Sequence, residues 1–219
     1  MSLNITAVKQ TIETANKHIT VLLIEERPRS SSMLKKALLD FGYQVTKHAS
    51  FDDNIIEQID LYNPSVLVLA TDLPSAAMLK ELAEISQLQP LPIVIFAEYD
   101  SPNVIQNAIK SGVSAYVVNE ILPQRLQSII SVANERFKAV QSLRNELKEA
   151  KTQLESRKYI ERAKGLIMEQ KRISENDAYK KLRKMAMDQG CSLAMVAKNI
   201  IDVCQLLKPT NTNKLEQVI

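Results

Sequence analysis

The residues of this chain best equipped to hold a ligand are basic and gather toward its C-terminal end. Arg157, Lys158, Arg162 and Lys164 fall within two helical turns, and Arg183 and Lys184 follow on the next helical stretch. Ammonium and guanidinium groups bind phosphate oxygens, and a guanidinium plane stacks on an unpaired base much as an aromatic ring does. Tyr179 supplies such a ring. It stands beside Ala178, where an aromatic serves equally as the edge of a core. Gly165 leaves room for the close approach of a backbone or base. A glycine inside a helix costs about 1 kcal/mol relative to alanine, so it calls for a reason. A close helix–helix contact is the other reason it can have. Between 157 and 188 there are ten Lys/Arg against five Asp/Glu, while residues 1–156 carry 15 basic and 18 acidic groups. The formal net charge of +3 therefore hides a segregation. Such an asymmetry suggests a polyanionic partner for the basic end, although charge alone favours the plainer reading of a solvated helix face.

Three short helices must position these groups. The first is expected over 158–169, with a break near 171–173. The second starts at Ser174, where Ser174 and Asp177 can satisfy the free N–H groups of a helix start. It stops at Gly190, and the third runs from Ser192 or Leu193 toward Pro209. Ile160, Ala163 and Ile167, then Ala178, Leu182, Met185 and Ala186, then Leu193, Val196, Ala197, Ile200, Ile201, Cys204 and Leu207 recur at helical spacing and are the candidate core. The first helix has no clear breaker back to Pro123. Within that long stretch Ala133, Arg136, Val140, Leu143, Leu147, Ala150 and Leu154 alternate at three and four residues, a heptad seam from Val140 onward with charged flanks. A parallel homodimer through Val140, Leu143, Leu147, Ala150 and Leu154 is expected, because an apolar stripe on a long helix needs cover.

Other chemistry finds little material. The two cysteines, Cys191 and Cys204, lack a His or Cys cluster, and His18 and His48 lack partners. No nucleophile with a base, phosphate-cradling glycine loop or zinc spacing occurs, so neither an enzyme nor a metal site nor a cofactor is expected. The chain is 45% apolar, but no stretch approaches the roughly 20 apolar residues of a membrane span, and the first twenty residues lack a leader's apolar run. A cytoplasmic protein is expected.

Upstream, strands and helices alternate. Short branched apolar runs at 19–25, 64–70, 91–98 and 114–118, and an alternating one at 44–50, read as strands. Helical patterns fill 31–42, 52–63, 75–89 and 102–112, and a fifth begins near 122. Five strands alternating with five helices argue a parallel sheet covered on both faces, with its functional edge at the carboxyl ends of the strands. The expected organisation is an N-terminal extension at 1–18, an α/β domain at 19–134, a coiled-coil connector at 135–156, a three-helix all-α domain at 157–207 and a tail at 208–219.

Two resemblances sharpen this. The run SRKYIERAKGLIM at 156–168, then ISENDAYKKLRKMAM at 173–187 and SLAMVAKNI at 192–200, resembles the ANTAR domain, a family that binds RNA and prevents transcription termination. The resemblance implies RNA-binding roles for Arg157, Lys158, Arg162, Lys164, Gly165, Tyr179, Arg183 and Lys184. It further implies a target of paired small hairpins in a leader transcript, with a dimer presenting one domain to each. Substitution of Lys164 or Arg183 by alanine is expected to weaken RNA binding while leaving helicity intact. A receiver-linked DNA-binding factor and a domain that docks on an acidic protein remain the competing readings.

The upstream order of elements resembles the flavodoxin-like receiver domain of bacterial response regulators. That family holds magnesium with an acidic pair, phosphorylates an aspartate, and completes the site with a hydroxyl and a lysine. The acidic pair falls on Glu25 and Glu26, expected to be solvated or locally paired. The acceptor position falls on Ala70, the hydroxyl position on Ala97 and the lysine position on Asn119, with Tyr116 at the aromatic place. Alanine has no carboxylate to attack phosphorus and no oxygen for a hard cation. The phosphorylation site is thus expected to be degenerate, with Asp72 a poor substitute acceptor. Together the two resemblances look most like the NasT/AmiR type of regulator, controlled by an inhibitory ligand-sensing partner, and the NasT branch implies nitrate or nitrite assimilation genes.

Overall fold

The computed structural model describes residues 19–26, 28–50, 54–118 and 123–206; the N-terminal extension, His18, Asn119, Leu207 and the 208–219 tail lie outside them. The chain divides into two compact units, Met1–Ser142 and Leu143–Ile219. The boundary falls inside the stretch expected as a connector.

In the first unit five parallel strands, β1 (Thr20–Glu25), β2 (Gln44–Ser50), β3 (Val66–Thr71), β4 (Ile93–Ala97) and β5 (Ala115–Val118), alternate with helices. These are α1 (Pro28–Asp40), α2 (Ile55–Tyr62), α3 (Ala76–Leu88), α4 (Pro102–Lys110) and the start of α5 (Pro123–Lys171). The sheet order is β2-β1-β3-β4-β5. The strands read as unbroken apolar runs because both of their faces are buried. Val21 and Leu23 point into a core with Leu34 and Leu38 of α1 and Leu126, Ile130 and Ala133 of α5. Leu22 and Ile24 point the other way, into a core with Ile55 and Ile59 of α2, Leu79, Leu82 and Ile85 of α3, and Ala108 of α4. Ala133, which keeps heptad spacing with the seam expected from Val140 onward, is therefore a core residue of this unit.

The reversals that set these helices have local causes. Asn54 caps α2 by accepting from the Glu57 amide, and Ser75 caps α3 through the Met78 amide. Gly42 and Gly112 adopt φ of 82° and 94°, which glycine tolerates without a β-carbon clash. At Gly112 a β-carbon would also strike the Ser86 side chain.

The second unit holds the rest of α5, α6 (Glu175–Asp188) and α7 (Leu193–Leu206). The first of the three expected helices is the end of α5, a 49-residue helix. Ala163, Leu182, Ala186, Val196, Ala197 and Ile201 form its core, with Ile160, Leu166, Ile167, Cys191, Leu193 and Ile200 packed against it. Ala178 is also buried, whereas Met185, expected in the core, is exposed. Ser174 caps α6 as its sequence implies: its hydroxyl accepts from the Asp177 amide at 3.2 Å and donates to the Asp177 carboxylate at 2.7 Å. Gly190 ends the turn at φ 61°, and the Cys191 amide donates to the Ala186 carbonyl at 3.1 Å. Ser192 caps α7 through the Met195 amide at 3.2 Å.

Candidate nucleic-acid interface

Two places held the expected chemistry, and they differ in what the fold makes of them. At the carboxyl edge of the sheet, parallel pairing sets Glu25 beside Ala70, Thr71 beside Ala97 and Ala97 beside Val118. The strands align at that edge as expected, and the residues at the receiver's acceptor and hydroxyl positions are alanines. Ala70 and Ala97 are buried methyl groups at the acceptor and hydroxyl positions. The Glu26 carboxylate is held by the Thr71 hydroxyl at 2.5 Å and by the Asp72 amide at 3.2 Å. Glu25 is 4% exposed, so of the two states expected for the pair, solvated or locally paired, the solvated one does not hold for it. Its position on the last residue of β1, between β2 and β3, is what buries it. No group of three or more His, Cys, Asp or Glu fit to hold a metal occurs among the described residues. Tyr116 donates to the Tyr99 carbonyl at 3.4 Å; its pKa is raised by burial and then by the Asp100 charge.

The basic end is built differently. Lys158, Arg162 and Gly165 lie at i, i+4 and i+7 on α5 and so share one face. All three are exposed. A β-carbon built on Gly165 meets nothing within 4 Å, so no neighbouring helix requires the missing side chain. Of the two readings of this glycine, packing within the chain loses its basis. On α6, Glu175, Tyr179 and Arg183 form an i, i+4, i+8 ladder, with Lys180 and Lys184 on the adjacent row. Tyr179 is 42% exposed, and Arg183 and Lys184 are exposed as well.

Lys164 departs from expectation. It is 8% exposed, and its Nζ lies 2.9 Å from Glu161 Oε1 on α5 and 2.6 Å from Glu175 Oε1 at the first turn of α6. The hydrogen bond to Glu175, then that to Glu161, raises the lysine pKa against the opposing effect of burial. The same bond from Lys164 lowers the Glu175 pKa. This is a clamp between α5 and α6, and it leaves the Lys164 ammonium held by two carboxylates where an open cation was expected. Glu175 heads the ladder that carries Tyr179 and Arg183, so the clamp ties the start of that ladder to α5. In contrast, Arg157, Lys158, Arg162, Lys171, Arg172, Lys180, Lys181, Arg183 and Lys184 have no ion pair among the described residues. Lys171, Arg172, Lys180 and Lys181 were not singled out from sequence; a lysine or arginine in a basic run carries no mark of whether its charge is already spent.

On the expected seam of α5, Val140 is 46% exposed, Leu143 65%, Leu147 56% and Leu154 61%. Ala150 lies exposed between them. No described helix is long and apolar enough to cross a membrane.

Comparison with known proteins agrees with this division of labour. The response regulator receiver domain model matches residues 21–131, and the ANTAR domain model matches residues 148–201. The chain is 26% identical over 190 residues to the transcriptional regulatory protein PdtaR of Mycobacterium tuberculosis, covering 87% of this chain and 93% of that one. It is 31% identical over 84 residues to the nitrate regulatory protein of Klebsiella oxytoca, 38% of this chain and 21% of that one. Among solved structures, the receiver domain of the putative response regulator NarL from Mycobacterium tuberculosis superposes with a TM-score of 0.47 at 17% identity, over 52% of this chain and 95% of that one. The chain belongs to the response regulator receiver family and joins its receiver domain to a C-terminal ANTAR domain.

Proposed function

We propose that this protein is an RNA-binding antitermination regulator that stabilises paired hairpins in a leader transcript. The observations that carry the reading are the exposed face of Lys158, Arg162 and the open Gly165 on α5 and the exposed Tyr179 and Arg183 of α6. Unpaired RNA bases are bound by stacking on aromatic or guanidinium planes, with cations on the phosphates, and this surface offers each of those groups. The ANTAR match supports the same reading. Binding would hold the transcript in a form that excludes a terminator hairpin.

Two further parts complete the proposal. The exposed Val140–Leu143–Leu147–Leu154 stripe is the surface of a parallel homodimer, which brings two RNA-binding domains to two hairpins. Control comes from an inhibitory ligand-sensing protein instead of phosphorylation, because Ala70 and Ala97 remove the acceptor and the hydroxyl. Incubation with a small phosphodonor and Mg²⁺ is expected to leave the protein unlabelled. The nitrate regulatory protein among the relatives favours nitrate or nitrite assimilation genes as the target.

The deciding experiment is a filter-binding comparison of paired-hairpin RNA with duplex DNA across a salt series, without any inhibitory partner. Tight, salt-sensitive binding of the RNA supports the proposal. Preference for duplex DNA would reassign the protein as a DNA-binding factor, and indifference to both would leave a protein-docking domain.

A further inference from the structure

Five helices of this chain are followed by a left-handed residue, and all but one of those residues are the types the conformation favours. Gly42, Gly112 and Gly190 have φ of 82°, 94° and 61°, and Asn63, which follows α2, has φ of 42°. After each glycine the next amide turns back to the helix: Tyr43 to the Leu38 carbonyl, Val113 to Ala108 and Cys191 to Ala186. Arg172, the residue after α5, has φ of 53°. An L-residue with a long side chain crowds its β-carbon against the following carbonyl there, and arginine has neither glycine's freedom nor asparagine's short polar group to offset it.

The fold draws nothing from the side chain in return. Arg172 is exposed and has no hydrogen bond or ion pair among the described residues. A cation is favoured near a helix C-terminus, but that effect fades beyond the last turn, and Lys171 already stands inside it. The carboxylates across the turn are engaged elsewhere: Glu175 by Lys164 and Asp177 by the Ser174 hydroxyl. The tip formed by Lys171 and Arg172 is therefore left positive.

We infer that Arg172 is a further RNA-binding residue, kept at a position that suits glycine because its guanidinium takes a phosphate of the transcript at the α5–α6 tip. This rests on the RNA reading above. A planar guanidinium matches two phosphate oxygens at once, which a lysine does not.

Arg172→Gly separates strain from contact, because the two effects have opposite signs. In the full chain, Arg172→Gly is expected to raise the melting temperature, since glycine relieves the strain. It is also expected to weaken binding of paired-hairpin RNA about fivefold at about 0.1 M salt and to lower the slope of log affinity on log salt by about 0.7. Unchanged affinity and slope in Arg172→Gly, with the parent chain binding RNA, would overturn the inference and leave the RNA reading standing. A lower melting temperature in Arg172→Gly would overturn it as well, since the arginine would then serve the fold. If the parent chain itself does not bind the hairpin RNA, the RNA reading fails and this inference with it.

Discussion

Lys164 offers the sharpest test of how the basic end is built. Sequence places it among the phosphate ligands; the fold places it between two carboxylates, 2.9 Å from Glu161 and 2.6 Å from Glu175, and 8% exposed. Consider Lys164→Met beside Arg183→Ala. Arg183 is exposed and unpaired, so its loss should remove one phosphate contact. That lowers the salt slope by about 0.7, which makes the affinity fall about 2.6-fold less steeply between about 50 and 200 mM salt. Lys164 touches carboxylates instead, so Lys164→Met should leave the slope unchanged. It strips Glu175 of its partner at the first turn of α6, so the melting temperature and the affinity should fall together. The double variant Lys164→Met, Glu175→Gln removes both charges and should recover part of the lost melting temperature. Filter binding across a salt series, paired with thermal melting, reads both quantities. A Lys164→Met protein that melts like the parent chain while its slope drops by about 0.7 would refute the clamp and restore Lys164 as a phosphate ligand.

Three other outcomes follow from the same geometry. Gly165→Ala should stabilise α5 by about 1 kcal/mol, since nothing occupies the space above it, while weakening RNA binding; thermal melting and filter binding that move in the same direction would contradict this. Leu147→Glu puts a charge in the middle of the exposed stripe and should convert a dimer to a monomer in sedimentation at micromolar concentration, leaving the receiver fold intact by circular dichroism. The contribution of the Glu175 carboxylate to stability has a defined pH window: its folded pKa is lowered, so the contribution is complete above the ordinary value of 4.5 and is lost as pH falls through the folded value. Melting profiles of the parent chain should therefore lose stability on acidification below that point more steeply than those of Glu175→Gln.

The strands were legible because each carries a demand on both faces. A run such as Val21–Leu22–Leu23–Ile24 can be apolar throughout when alternate residues enter opposite cores, and those two cores are what the fold contains. Helix ends were legible wherever the chain spends a dedicated residue on them, as at Ser174, Gly42, Gly112 and Gly190. Two features were not. Lys164 looks like its basic neighbours until α6 folds back and brings Glu175 to it; the pairing crosses two helices, so spacing along one of them cannot show it. The left-handed turn at Arg172 carries no glycine or asparagine to announce it, and the break near 171–173 was visible only as a lapse in periodicity. Ala133 misled for a related reason. A small apolar residue at heptad spacing serves a coiled-coil seam or the receiver core equally well, and here packing beside Leu126 and Ile130 decided for the core.

The two ends of the chain can be set against each other in terms of what a switch requires. A ligand or modification shifts a conformational equilibrium by no more than its differential interaction with the two states. At the carboxyl edge of the sheet, the Thr71 hydroxyl and the Asp72 amide already bind Glu26, and methyl groups stand at the acceptor and hydroxyl positions. Neither alanine offers a phosphoryl group an atom on which to form or a hydroxyl of the receiver kind, so those two positions give a phosphate little to distinguish one state from another. The exposed heptad stripe on α5 and the uncompensated cations of α5 and α6 are different. Their environment would change completely if a second chain, an RNA or a masking protein covered them, and under the proposed function a protein that covered either surface would compete with dimer or transcript. Control by occlusion needs no chemistry from the receiver; it needs surfaces whose burial carries a large free-energy difference, and those lie on the helices downstream of the sheet.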